Sequence, residues 1–148
     1  MRISVKGRYA LAAMIDLGRS YPINEHVTVI SISDRLGISK IYLEQVFALL
    51  KRAHLVQSVK GSQGGYKLTR LPKEISVFDI LSAVENSLFD QTEETVKSNA
   101  PEVEAAMRLS VFAPLDETVK TNLAQITLED LILESEKQKT NQAPMFFI

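Results

Sequence analysis

The chain has 148 residues, 45% hydrophobic and 24% charged, with a formal net charge of −1 and no cysteine. That is one domain's worth of length, or a small domain with an appendage, and enough apolar material for one core, so wholesale disorder is excluded. The absence of cysteine excludes a disulfide framework, a thiolate zinc site, a cysteine-ligated iron–sulfur cluster and a thiol redox switch. No apolar run approaches the length that spans a bilayer.

In chain order, Arg2, Lys6 and Arg8 precede a short apolar run at 9–15, a faint signal-peptide outline. Asp16 ends the run and no small-residue cleavage site follows, so the chain reads as cytoplasmic. Leu11, Met14, Ile15 and Gly18 recur at helical spacing, which predicts an amphipathic helix over 4–18. Residues 20–27 read as a loop. Thr28 is placed to cap a short helix with Val29, Ile32 and Leu36 inward, and Gly37 stops it. Ser39 then caps a second helix to about Ala53, with Leu43, Val46, Phe47 and Leu50 inward. Two helices joined by a short glycine-containing turn are the helix-turn-helix signature.

Residues 55–59 and 66–70 alternate as strands around Gly61-Ser-Gln-Gly-Gly, which predicts a hairpin wing. This glycine run does not match a phosphate-binding loop in spacing, nor in the Ser/Thr that should follow its lysine. Ser76 is a plausible cap for a helix over 75–89 with Val77, Ile80, Leu81 and Val84 inward. Residues 90–100 read as a polar loop. From 101 to 124 the apolar residues Val103, Met107, Val111, Leu115, Val119 and Leu123 fall in steps of four, close to one helical stripe. Pro101 suits a first turn, whereas Pro114 should kink or interrupt the helix. Thr127 is placed to cap a last short helix. Residues 134–144 carry no large apolar anchor and read as disordered, ahead of Met145, Phe146, Phe147 and Ile148.

Charge is divided unevenly. Residues 1–73 hold twelve Lys/Arg against four Asp/Glu, a net of +8, and residues 74–148 hold five against fourteen, a net of −9. A basic module joined to an acidic one fits a partner that is a polyanion, although two solvated faces of opposite sign would give the same count. The second predicted helix would turn Lys40, Ile41, Glu44, Gln45, Ala48, Lys51 and Arg52 outward. Glutamate can accept from cytosine N4, glutamine can pair with adenine and isoleucine can touch a thymine methyl, while lysine and arginine reach phosphates. His54 reads as a helix-dipole partner or phosphate contact rather than a metal ligand, and His26 lies in a loop. No constellation supports an enzyme. The stripe from Val103 to Leu123 either closes the chain's own core or pairs with its copy. The second reading is preferred, since one helix cannot bury both faces on so small a domain.

MRISVKGRYALAAMIDLG, SKIYLEQVFALLKRAHLV and GSQGGYKLTR, in this order and spacing, resemble the Rrf family of bacterial winged-helix transcription regulators. The resemblance covers residues 1–88 closely and continues through ITLEDL at 126–131. It implies a mainly α fold with a β-hairpin wing, a homodimer built on a long helix, and operator DNA as partner. The family's recognition-helix glutamate falls on Glu44, with Gln45 beside it, and Lys60 stands at the wing's usual arginine position. Cluster-binding members carry three cysteines where this chain, over residues 86–104, has none, so no cofactor is expected. His54 replaces a glycine common in the family. The ending MFFI resembles that of the family's cysteine-metabolism repressors, which act through cysteine synthase. The last four residues either dock on the chain's own fold or, as this resemblance implies, form a tail that binds cysteine synthase.

The expected architecture is a winged helix-turn-helix domain at 1–73, a helical dimerisation region at 74–133 and a flexible tail at 134–148. The expected DNA-binding set is Arg2, Lys6, Arg8, Ser39, Lys40, Ile41, Tyr42, Glu44, Gln45, Lys51, Arg52, Lys60, Ser62, Gln63 and Gly64. The expected function is a homodimeric, sequence-specific DNA-binding repressor, with cysteine or sulfur metabolism as its expected target. The alternative is a regulatory subunit that acts through its tail without DNA.

Overall fold

A computed structural model describes residues 2–21, 26–61 and 64–142. The first helix, α1 (Val5–Arg19), begins where the Ser4 hydroxyl accepts the Gly7 N–H. Its buried face is made of small residues, Gly7, Ala10, Ala13 and Gly18, together with Met14 and Leu17. Leu11 and Ile15, expected inward, lie half-buried at the edge of that face. Small side chains let neighbours approach closely, and α1 is the element that the others share. It packs against α2 (Val29–Leu36), α3 (Lys40–Arg52), α4 (Val77–Val84) and α7 (Leu128–Gln142). A Cβ at Gly18 would lie 2.5 Å from Ile132 Cδ1 on α7.

One charged residue sits in this apolar face. The Asp16 side chain is only 3% exposed, and Arg35 of α2 reaches it in a fork. Nε donates to Oδ1 at 2.9 Å and Nη2 donates to Oδ2 at 2.8 Å. A buried carboxylate is tolerated when it is paired and hydrogen-bonded in this way. The hydrogen bond to Asp16 pushes the Arg35 guanidinium pKa up, against a smaller opposing effect of burial. A raised arginine pKa stabilises below the unfolded value and fails only above it, so the clamp is insensitive to alkali in the ordinary range.

The helix-turn-helix forms as its local signals predict. Thr28 Oγ1 accepts the Ser31 N–H, Gly37 adopts φ +68 to end α2, and Ser39 Oγ accepts the Tyr42 N–H to start α3. Leu43, Val46, Phe47 and Leu50 of α3 are all buried. The C-terminus of α3 closes in a Schellman turn: His54 N–H donates to Lys51 O at 2.9 Å and Leu55 N–H to Leu50 O at 3.0 Å. The left-handed residue of that turn is His54, at φ +61, where glycine is the unstrained choice.

The wing pairs β1 (Val56–Ser58) antiparallel to β2 (Tyr66–Leu68), with Val56 opposite Leu68. Val27 adds two hydrogen bonds to the far edge, to and from Tyr66. Gly65, at φ +139, allows this, because a Cβ there would lie 2.8 Å from the Val27 carbonyl. The Tyr66 ring stacks on Phe47 of α3 at 4.5 Å and 11°.

In the second half, Ser76 and Asp79 form a reciprocal capping box that starts α4. This helix ends at Val84, short of the expected 89. The long helix runs through α5 (Pro101–Met107), a π turn (Arg108–Phe112) and α6 (Ala113–Gln125). The π turn is how Pro114 is accommodated. Proline offers no N–H to the preceding turn, and a wider turn just before it moves the carbonyls its ring would strike. A row of every fourth residue drifts forward around an α-helix of about 3.6 residues per turn. The wider turn carries Val111 back toward the row.

The expected flexible segment at 134–144 is corrected for its described part: α7 continues to Gln142. Its first turn is fixed by Thr127 and Asp130, which exchange hydrogen bonds with each other's N–H, and by the buried Leu128. Extending a nucleated helix is cheap even for polar residues. Arg19 at the end of α1 then holds Ser135 and Glu136 at 2.9 and 3.0 Å. Paired backbone bonds between Ile75 and Leu128, and between Val77 and Ile126, tie α7 to the start of α4.

Two stability predictions follow from these contacts. Arg35→Ala strands a buried carboxylate and should cost about 3 kcal/mol, more than Asp16→Asn, which leaves a half-exposed guanidinium that water can solvate. Urea denaturation of both variants reads the difference. His54→Gly should raise stability by about 1 kcal/mol by relieving the left-handed strain, and lower stability instead would refute that strain.

Candidate nucleic-acid interface

The outer face of α3 carries the residues expected there. Lys40, Ile41, Glu44, Gln45, Ala48, Lys51 and Arg52 are all exposed, opposite the buried Leu43–Val46–Phe47–Leu50 row. Ile41 is 71% exposed, a large apolar side chain with no cover of its own. Lys40 Nζ stands 3.8 Å from Glu44 Oε1 across one turn. So exposed a pair is weak, and both partners remain available to a ligand.

The N-terminus of α1 is carried to the same side. Ser4, Val5 and Lys6 line one shallow cavity together with Tyr42, at the start of α3. Glu85, just after α4, fixes this end: its Oε1 accepts the Ser4 N–H at 3.0 Å and the Ser4 hydroxyl at 2.8 Å. Tyr9 meets Tyr42 edge-on, with ring centroids 4.9 Å apart. Lys6 and Tyr42 are therefore brought together, with Arg2 and Arg8 exposed on the same terminal stretch. On the wing, Lys60 is exposed and Gly64 adopts φ +68. Ser62 and Gln63, expected at the wing tip, lie outside the described residues, as do Met145, Phe146, Phe147 and Ile148 of the expected tail.

Sequence reasoning missed the residues that hold this face in place. Asp16 and Arg35 are 19 positions apart, and Ser4 and Glu85 are 81 apart. Asp16 did leave a trace, since it is a lone acid on the apolar side of α1 between Ala13 and Leu17. Glu85 left none.

The apolar row expected in the second half is divided. Val103, Val111 and Leu115 are exposed, and Met107, Val119 and Leu123 are half-buried. Leu109, outside the expected row, is 72% exposed. Among the described residues no helix is long and apolar enough to cross a membrane. Among them, too, no group of three His, Asp or Glu side chains is placed to hold a metal ion.

Comparison with known proteins gives a consistent picture. The Rrf2 family, described as "Iron-dependent Transcriptional regulator", matches residues 3–134. The transcriptional regulator IscR of Cereibacter sphaeroides is 46% identical over 89 residues, 60% of this chain and 57% of that protein. The IscR of an Escherichia coli O1:K1 strain is 35% identical over 150 residues, 97% of this chain and 91% of that one. Among solved structures, CymR of B. subtilis, the "Global Cysteine Regulator", superposes with a TM-score of 0.72 at 32% identity, over 90% of this chain and 98% of that one. The IscR of T. potens does so with 0.70 at 34%, over 99% and 96%.

The iron in the family's description does not fit this chain. Cysteine is absent, and the side chains near the start of α5 that could donate to a metal are carboxylates. Glu104 Oε2 accepts the N–H groups of Thr95 and Val96, and Glu94 pairs with Lys97 at 3.0 Å. This donor set is hard oxygen, engaged only in part by backbone and lysine, not the soft thiolate that an iron–sulfur cluster takes. The winged helix-turn-helix, the family match over most of the length and full-length relatives above 30% identity agree: the chain belongs to the Rrf2 family of winged-helix transcriptional regulators.

Proposed function

We propose that this chain is a homodimeric, sequence-specific DNA-binding repressor of the cytoplasm that works without a cofactor. The observation that carries the reading is the exposed face of α3, where Ile41, Glu44 and Gln45 offer base contacts and Lys40, Lys51 and Arg52 flank them with positive charge. An α-helix fits the major groove of B-DNA, and these side-chain types match base edges and phosphates respectively. The net +8 of residues 1–73 supplies the electrostatic attraction.

Dimerisation rests on α5 and α6. Val103, Val111 and Leu115 leave large apolar side chains between 46% and 57% exposed along one continuous helix. Contiguous exposed apolar surface of this kind marks an interface. The helix of residues 101–125 is roughly 37 Å long, comparable to the one-turn spacing of two half-sites, about 34–36 Å.

Regulation of cysteine or sulfur metabolism is supported by the likeness to the B. subtilis cysteine regulator. The ending MFFI supports cysteine synthase as a partner of Met145, Phe146, Phe147 and Ile148. With α7 helical to Gln142, those residues follow a helix rather than a long coil.

Sequencing genome fragments retained by the purified protein should return a palindrome, and no preferred site would overturn the reading. On that site, Glu44→Ala should relax base preference by about 1–3 kcal/mol of discrimination. Lys51→Ala should weaken all sequences alike and reduce the salt slope by about one. Identical behaviour of the two variants would mean that α3 is presented otherwise. A Val111→Asp, Leu115→Asp double variant should run as a monomer in light scattering. Deleting Ile148 should abolish a calorimetric signal with cysteine synthase and leave DNA binding intact.

A further inference from the structure

Among the described residues Glu104 is a second buried carboxyl side chain and, unlike Asp16, it is half satisfied. The residue is 3% exposed, on the first turn of α5. Its Oε2 accepts the N–H of Val96 at 3.1 Å and of Thr95 at 3.3 Å. Its Oε1 is buried and has no hydrogen-bond partner among the described residues. An unpaired oxygen on a buried carboxylate is costly, so something that donates hydrogen bonds belongs beside it.

Glu104 also lines a cavity of about 170 Å³, with Glu94, Lys97, Pro101, Ala105 and Arg108. Arg108 Nη2 donates to the Thr92 carbonyl at 3.1 Å and stands 3.8 Å from Glu94. Lys97 reaches Glu94 at 3.0 Å while its side chain is 66% exposed, so it is free to turn toward a ligand. Two carboxylates and two cations face the cavity, and Pro101 and Ala105 give it a small apolar wall. A lone cation or a lone anion would leave this balanced set with an uncompensated charge in a partly closed space. A neutral molecule carrying one ammonium and one carboxylate would not.

We infer that the cavity between residues 90–100 and α5 binds a small α-amino acid, with its ammonium on Glu104 Oε1 and its carboxylate on Lys97 and Arg108. The volume and the short apolar wall select a small side chain. The site stands on the helix that continues through the π turn into α6, so an occupant would tie the 90–100 segment to the proposed dimer helix. This inference needs neither DNA binding nor the dimer, and its test reads neither.

The full chain is titrated by calorimetry with each standard L-amino acid in turn, and with the decarboxylated amine and the deaminated acid of any that binds. At least one small amino acid should bind, and its amine and acid should each bind about tenfold more weakly or worse, the loss expected for one charged hydrogen bond. Glu104→Gln should weaken the amino acid by a similar factor. The amide resonances of Thr95 and Val96 should move on binding in the wild-type protein. If no amino acid binds, a water satisfies Oε1 and the inference fails. It also fails if the amine alone binds as tightly, if the two amides do not move, or if Glu104→Gln binds unchanged. Should Glu104→Gln not fold, the exposed Lys97→Ala decides: weaker binding of the amino acid with unchanged binding of its amine supports the site, and unchanged binding of both overturns it.

Discussion

One buried carboxylate sets the geometry of the helix-turn-helix half. Asp16 lies on the same helical face that α1 presents to its neighbours, and Arg35 grips it with two short bonds, one to each oxygen. The fork geometry fixes direction as well as distance, which an apolar contact would not. With α2 locked in rotation against α1, the three-residue turn through Gly37 leaves α3 little choice of angle. The charge is not there for net stability, since an apolar pair of the same shape would serve as well. Its contribution is orientation. The Ser4–Glu85 contact does the same for the other end of α1, so both ends of the central helix are pinned by polar groups and its middle by close packing.

The second half solves a different problem. A long helix must carry a proline without breaking, and it must leave an apolar strip uncovered. The π turn meets both needs. It gives up α geometry for a single turn ahead of Pro114 and shifts the phase of the side chains that follow, so Val111 and Leu115 stay exposed beside Val103. The chain then returns through Thr127 to lay α7 back along α1 and to join α4 by a two-bond bridge. The end of the sequence thereby helps to hold the beginning.

What could be read from the sequence was local. The caps Thr28, Ser39, Ser76 and Thr127, the stop at Gly37 and the buried row of α3 each depend on residues within a few positions of one another, and pattern exposes them. The same local patterns gave the helix-turn-helix and the wing, and the family resemblance added the expected dimer and DNA partner. The misses depend on distance in sequence or on continuation. Nothing near Asp16 names Arg35, and nothing near Glu104 names Thr95 as its partner. Polarity alone made 134–142 look unstructured, because composition does not register that a helix already nucleated at Leu128 extends at little cost. The glycine habit of the family at position 54 was legible only as an oddity. The left-handed turn gives it a cause, since the backbone at the end of α3 asks for a residue without a Cβ and finds histidine.

The stacking of Tyr66 on Phe47 has a consequence for how an operator would be written. Two flat rings face each other 4.5 Å apart, one on the reading helix and one on the wing, with the Val27 edge closing the other side of the strand. On the proposed reading, α3 and the base of the wing at Tyr66 therefore act as a single caliper rather than as two independent fingers. Along a duplex of about ten base pairs per turn, one inserted pair rotates what the wing meets by about a tenth of a turn relative to what the helix meets. A caliper cannot follow that rotation. On the proposed reading, letters within each contact would drift at a modest cost each, but the interval between the contacts would be held to the base pair.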